Sequence, residues 1–370
     1  MEPAGAASTG QLGANEATRR IAANPLEDAY ARWLSIANRL VQMPDEKLGA
    51  FDIAELNLGA AFGLQGAQDM DVAACLAKLS RWTDLVGVNT DHWWPRFVRS
   101  PGEFDSSPSQ FRMLVLVTVL QRHLGVRYNL AFMDGDYNGS DSRNLFIHGL
   151  LSGYGGTCVS MPVLYVAVGR RLGYPLKLAN AKEHLFARWE EPGGERFNIE
   201  SMSRGFSVRD DEFYRKWPKP ITDEEVGRGL YLRSLRPREE LAEFFCHRGN
   251  CLRDNMAFLE ASRAYSHAAQ LSPVDTVIQS NWAVATALHL AIQNAQKRVG
   301  AEGHSQIELR NLEIPDLPNG WNVIVPYVRK ELDRIAKIHL EKTRRHARSD
   351  AFAKINASEG NGGKFVDEAF

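Results

Sequence analysis

Residues 159–168 read VSMPVLYVAV, a run without a charged side chain. A helix apolar nearly all round, here Val159, Met161, Val163, Leu164, Tyr165, Val166, Ala167 and Val168, has no face to turn to water and must be covered by its neighbours. The run is far shorter than the ~20 apolar residues that cross a bilayer, so it belongs at the centre of a globular core. Gly173-Tyr174-Pro175 then supplies a Gly-then-Pro stop. Pro162 donates no ladder bond and disfavours helix at Met161, so the regular helix can begin after Cys158, within a turn of it.

The chain has 370 residues, enough for two or three compact units. Lys plus Arg number 44 against 45 Asp plus Glu, so no charge excess points to nucleic acid or an anionic membrane as partner. The first residues, MEPAGAASTGQLGANEATRR, lack a basic region followed by an apolar one, and the other long apolar run, MLVLVTVL, is too short to span a membrane. A soluble, cytoplasmic protein is expected. Four cysteines, Cys75, Cys158, Cys246 and Cys251, are too few for a disulfide scaffold and fit a reducing compartment.

Residues 1–24 read as a disordered tail and 25–100 as a helical region. In the latter Trp33, Ile36, Ala37, Leu40 and Val41, then Val72, Cys75, Leu76, Leu79 and Val86, recur at helical spacing. Cys75 on that stripe reads as a small core residue. The stretch VNTDHWWPRFVRSPGEFDSSPSQ predicts a connection leading to a helix from Gln110 to Leu124. An extended run, VRYNLAF, and a polar loop, MDGDYNGSDSRN, precede the apolar helix. LKLAN, HLFARW and RFNIE then follow as strands, the last two joined by EEPGGE. The expected core, residues 101–215, is therefore one helix plus an antiparallel sheet, an α+β arrangement.

Helices return over 216–348. RDNMAFLEASRAYSHAAQLSPVDTVIQSNW, with Ala261, Ala264 and Ala268 at packing positions, predicts a hairpin of the tetratricopeptide type. One such repeat cannot bury its own face and must lean on the rest of the chain. A last helix near Pro326 to His346 ends in the basic run KTRRHARSD, read as a solvated helix end, and 349–370 as a disordered tail.

Cys158 falls where a helix N-terminus and unpaired N–H groups favour a thiolate, with Gly155 and Gly156 letting the backbone come close to a substrate. His184 opens one strand and Glu200 closes the next. A register in which paired residues sum to 384 sets His184 beside Glu200 and Phe186 beside Asn198 on one face. Sulfur, imidazole and carboxylate are then the three parts of a nucleophilic acyl-transfer site.

The order GTC at a helix start, then AKEHLFARW, then RFNIES resembles the transglutaminase-like superfamily. It resembles most its bacterial branch, in which a papain-like core is followed by tetratricopeptide-type helices, over roughly residues 110 to 290. The resemblance implies Cys158 as nucleophile, His184 as general base and Glu200 as orienting acid. Asp is usual at the acid position, so Glu200 implies a longer reach, with Asn198 as the alternative orienter. Gln121 and Asn129 are the candidates for a side-chain oxyanion donor. The activities implied run from amide crosslinking to peptide and amide hydrolysis, on a protein or peptide substrate and without metal or organic cofactor. Some relatives look inactive, which leaves open a scaffold that binds protein partners through the core and the repeat-type helices.

Other motifs read as structural. DGDYNG has Leu145 where a calcium loop needs a bidentate Glu. Cys246, His247 and Cys251 lack a fourth ligand and a zinc spacing. His148 is a rival base, and GYGG lacks the Lys-Ser or Lys-Thr of a phosphate loop.

Overall fold

The computed structural model describes residues 25–129, 139–302 and 325–338. Both expected tails, the DGDYNG stretch up to residue 138 and the basic run KTRRHARSD lie outside the described residues.

The order is α1 (Pro25–Leu40), the single turn α2 (Asp45–Leu48), α3 (Ile53–Ala61), α4 (Val72–Arg99), α5 (Pro108–Thr118), α6 (Ile147–Leu151), α7 (Met161–Arg171), β1 (Leu176–Ala181), β2 (His184–Glu190), β3 (Arg196–Ile199), β4 (Val208–Arg209), α8 (Asp211–Lys216), α9 (Asp223–Gly227), α10 (Pro237–Asp254), α11 (Phe258–Leu271) and α12 (Thr276–Glu302). Residues 325–338 are also helical. This is a mainly helical chain with one small antiparallel sheet of order β1-β2-β3-β4.

Helix α7 is the apolar run, and from Met161 to Gly169 it is buried throughout. It stops as its sequence dictates. Gly173 takes the left-handed conformation, Tyr174 N–H donates to Gly169 O and Gly173 N–H to Arg170 O, a Schellman ending. Around α7 a single hydrophobic cluster joins Ala187 of β2 with Trp33, Leu58, Leu79, Phe111, Leu164, Phe245 and Tyr265, which lie on helices before and after the sheet in sequence.

Several boundaries differ from the sequence expectations. The stretch read as a connection is helical as far as Arg99, because Pro95 deletes only one ladder bond while Trp94, Phe97, Phe104 and Phe111 interlock their rings. Helix α5 starts at Pro108 under a Ser107 cap, not at Gln110, and passes into a π turn over Val119–His123. Ile36 is exposed, whereas Trp33, Ala37 and Val41 are buried. Of VRYNLAF, Tyr128 makes one parallel bridge to Gly156.

The β2–β3 register is also two residues from the expected one. Ala187 pairs with Ile199 and Arg188 with Asn198, a sum of 386, so Asn198 faces Arg188 and not Phe186. The ladder closes with Glu191 N–H donating to Glu195 O around Pro192-Gly193-Gly194. Pro192 has no N–H to give a ladder, and Gly193 takes the positive φ of 72°. A two-residue slip preserves the side-chain face, so His184 and Glu200 still share one.

The start of α10 is tied down electrostatically. Glu239 is buried and accepts hydrogen bonds from Arg233 at 2.7 Å and from the Arg236 backbone N–H at 2.8 Å. Burial alone raises its carboxyl, but the Arg233 and Arg236 bonds outweigh burial and hold it at about 2. A carboxyl depressed on folding stabilises fully above its unfolded value and loses that contribution as pH falls toward its folded one. Glu239→Gln is therefore expected to cost about 2 kcal/mol at neutral pH, discounted for the half-exposed Arg236, and to flatten the acid limb of stability between about pH 4 and 2. Urea midpoints across that range check this; parallel curves for variant and wild type would refute it.

Candidate active site

The nucleophile position is built by the segment before α7. Gly155 has φ of 107°, and a Cβ on Gly156 would sit 2.6 Å from both Leu150 Cδ2 and Ser160 Oγ. These two positions accept only glycine, which lets the chain press against residues 127–129: Asn129 N–H donates to Gly156 O at 2.8 Å and Gly156 N–H to Arg127 O at 3.1 Å. Thr157 Oγ1 donates to Asn144 O at 2.7 Å, and Thr157 N–H to Ser160 Oγ at 3.0 Å. Cys158 then lies in a turn, three residues before the first residue of α7, with its own N–H directed at the Tyr128 phenol oxygen.

Cys158 is half-buried and carries a free thiol. Burial pushes that thiol up to about 12, and the Glu200 carboxylate adds to the shift. No hydrogen bond joins its sulfur to His184 among the described residues.

His184, the first residue of β2, is buried. Its Nε2 and Glu200 Oε2 are 2.9 Å apart. An ionised carboxylate only accepts, so this bond fixes the ring proton on Nε2 and leaves the Nδ1 lone pair as the basic position. Glu200 stands one rung diagonally from His184 on the observed ladder, and the extra methylene of Glu over Asp spans that diagonal.

Glu200 has two further donors, the Met202 N–H at 2.8 Å on Oε1 and the Tyr214 hydroxyl at 3.0 Å on Oε2. Burial raises its carboxyl, but the bonds from His184, Met202 and Tyr214 outweigh burial and hold it below its ordinary value. The Tyr214 ring stacks on Phe186 at 3.9 Å and lies beside His184. Trp217, about a third exposed, sets its edge against the His184 ring at 4.8 Å and covers the imidazole from solvent.

The remaining candidates are engaged elsewhere. Asn198 accepts from Arg188 Nε at 2.6 Å and donates to Asp211 at 2.8 Å, so it fixes a buried arginine and does not reach the imidazole. Gln121 Nε2 donates to the Tyr165 hydroxyl at 2.8 Å and to Ser203 O at 3.1 Å, while its Oε1 accepts the Gly205 N–H. It anchors the loop after Glu200 and has no donor left. Asn129 lies against the Gly155 turn and donates its amide to Asn144 Oδ1 at 3.1 Å.

His148, the rival base, is buried on α6 beside Ser142 Oγ, and burial lowers it to about 4. Cys251 Sγ donates to Ser140 O, while Cys246 accepts from Asn281, so the two α10 cysteines have separate surroundings. Cys75 is partly buried, and burial raises its thiol.

Three contributors escaped the sequence reading. Tyr214 and Trp217 come from the segment after the sheet, where no spacing rule ties an aromatic to a distant carboxylate. Tyr128 is next to a residue already singled out. Its phenol oxygen faces the Cys158 backbone N–H, and the Cys158 and Glu200 groups both bear on it. The alternation of the VRYNLAF run, which sets Tyr128 apart from Asn129, was the available signal.

Comparison with known proteins bears on this stretch of chain. No curated protein and no solved structure matches. The matched family span ends at 242, short of the region near 290 to which the resemblance was expected to run, so α11 and α12 lie outside it. Residues 96–242, which include Tyr128, Cys158, His184, Glu200, Tyr214 and Trp217, match the model of the transglutaminase-like superfamily, so the chain carries a domain of that superfamily.

Proposed function

We propose that the protein catalyses thiol-dependent acyl transfer, or amide or peptide hydrolysis, through an acyl-Cys158 intermediate. The observation that carries the reading is the buried His184–Glu200 hydrogen bond of 2.9 Å within the stretch that matches the transglutaminase-like superfamily. In the reaction, His184 Nδ1 takes the Cys158 proton, sulfur attacks the acyl carbon, and Glu200 holds the ring and supports its positive charge. The acyl intermediate then passes to water or an amine.

The catalytic unit is taken as residues 101–215, with helical flanks at 25–100 and 216–348, and the substrate as a protein or peptide met in the cytoplasm. The C-terminal flank, α10 to α12, in which successive helices pack together, belongs on this reading to the tetratricopeptide-type extension of the bacterial branch.

The raised Cys158 thiol favours a second reading, a catalytically silent scaffold that binds partner proteins through the core and the repeat-type helices. The two separate cleanly in cells: an intact phenotype in Cys158→Ser, together with its loss on substituting exposed residues of α11 and α12, establishes the scaffold.

Iodoacetamide tests the nucleophile. Burial leaves the isolated thiol protonated at neutral pH, so rapid alkylation there requires the imidazole. Cys158 is expected to alkylate at least tenfold faster than Cys246 near pH 7, roughly the gain of one positioned base, and to lose that advantage in His184→Ala. Equal rates at Cys158 and Cys246 would end the enzymatic reading.

Glu200→Gln probes the orienter with the same reagent. The depressed Glu200 carboxyl keeps its charge, and its grip on the imidazole, until pH falls below the ordinary carboxylate range. At neutral pH, where the wild-type carboxylate is charged, the alkylation rate of the variant should therefore fall between those of the wild type and His184→Ala. A variant indistinguishable from wild type would remove Glu200 from the site.

A further inference from the structure

A thiol that attacks an acyl carbon must place the resulting oxyanion against hydrogen-bond donors, and each such donor is worth a large part of the rate. Cys158 supplies one, its own N–H, which in the absence of an acyl group is directed at the Tyr128 phenol oxygen and can be given to an oxyanion instead. Of the side chains expected to supply the second, Gln121 has both amide hydrogens committed, and Asn129 gives an amide hydrogen to Asn144.

We propose that the Tyr128 hydroxyl is that second donor, so that the phenol O–H and the Cys158 N–H together hold the oxyanion formed on the acyl group. The inference rests on the reading of Cys158 as nucleophile.

The backbone puts Tyr128 there. Its two neighbours clamp Gly156, Arg127 through its carbonyl and Asn129 through its N–H, in a parallel bridge two residues before the nucleophile. Gly155 packs on the same stretch, 3.4 Å from Arg127 O and Asn129 Cβ by its would-be Cβ. The bridge fixes the phenol against the Cys158 turn, where its oxygen faces the Cys158 N–H, so the two groups border the same small volume. The hydroxyl is given to no protein acceptor among the described residues and is free to turn toward an incoming carbonyl oxygen. Burial, together with the Cys158 and Glu200 charges, pushes the phenol up to about 12, which keeps it a donor through the neutral range.

The chemistry separates this role from simple positioning. With p-nitrophenyl acetate as probe, sulfur forms a bond to the acyl carbon and the carbonyl π pair moves onto oxygen, where the two donors meet it. The oxyanion collapses, the carbon–oxygen bond to p-nitrophenolate breaks, and the thiol proton resides on His184. Iodoacetamide reacts instead by direct displacement of iodide from a methylene carbon, and no oxyanion forms.

Tyr128→Phe keeps the ring and removes only the donor. In the full-length protein the expected result is a fall of about 10- to 100-fold in the rate of Cys158 acylation by p-nitrophenyl acetate, with iodoacetamide alkylation and the melting temperature unchanged. Equal acylation by variant and wild type overturns the assignment alone. A parallel loss in acylation and alkylation also overturns it, because the hydroxyl then serves the cysteine and not the oxyanion. Failure of the wild type to acylate at Cys158, judged against Cys158→Ser, overturns the proposed function and this inference with it.

Discussion

Helix α7 cannot face water on any side, and the surrounding architecture follows from covering it. One flank takes the inner face of the sheet through Leu185, Ala187 and Trp189, others take α3, α4, α5 and α6, and α10 with α11 closes the same cluster. Buried large side chains contribute roughly 1.5–3 kcal/mol each, so this cluster fixes the position of α7 far more firmly than any single polar contact could. The lateral cover leaves the two ends of the helix. The C-terminal end is sealed by its Schellman turn and by Arg170, which donates to Leu176 O and to Glu240. The N-terminal end is preceded by the Gly155-Gly156 turn and Cys158, so this half-buried thiol sits where the core runs out.

The opposite face of the sheet solves a different problem. His184, Phe186 and Arg188 project there in alternation, and two of the three are polar. Burying them is tolerable only with partners, which β3 and α8 supply: Asn198 and Asp211 for Arg188, and Tyr214 for both the Phe186 ring and the Glu200 carboxylate. Tyr214 thereby links a purely packing contact to the carboxylate that holds the imidazole. Rigidity of the His184–Glu200 pair comes from this second, smaller core of Ala179, Ala181, Phe186, Tyr214 and Ile221, and not from the helix side.

Much of this was legible where one local rule decides. Apolar composition identified α7, Gly-then-Pro ended it, and period-two alternation placed three strands and kept His184 and Glu200 on one face. The errors fall where two rules compete. Pro95 and the polar residues around it argue for a connection, yet aromatic packing, invisible along the chain, carries α4 to Arg99. The hairpin loop offered two odd-length closures, and the choice between them depended on Pro192 leaving the ladder, which moved the register by two without changing the face. Strand β4 is a two-residue element defined only by its partner β3, so no internal pattern could announce it. Tyr128 was missed by one position because hydrogen-bonding side chains were sought by chemical type, and the amides of Gln121 and Asn129 looked better suited than a phenol before their commitments were visible.

The raised thiol and the tethered imidazole fit together once charge is followed through the proposed reaction. An isolated thiolate at Cys158 is disfavoured twice, by burial and by the nearby Glu200 carboxylate. Moving the proton to His184 changes the balance, because Glu200 then faces an imidazolium in direct hydrogen-bond contact, and at low dielectric the attraction across 2.9 Å outweighs repulsion of the more distant sulfur. The same carboxylate that hinders the thiolate alone supports the thiolate–imidazolium pair. Such a site keeps its sulfur protonated until an electrophile approaches closely enough for proton transfer and attack to be coupled. The half-buried position of Cys158 and the indole of Trp217 over the imidazole serve that coupling by holding bulk water away from the charge while it moves.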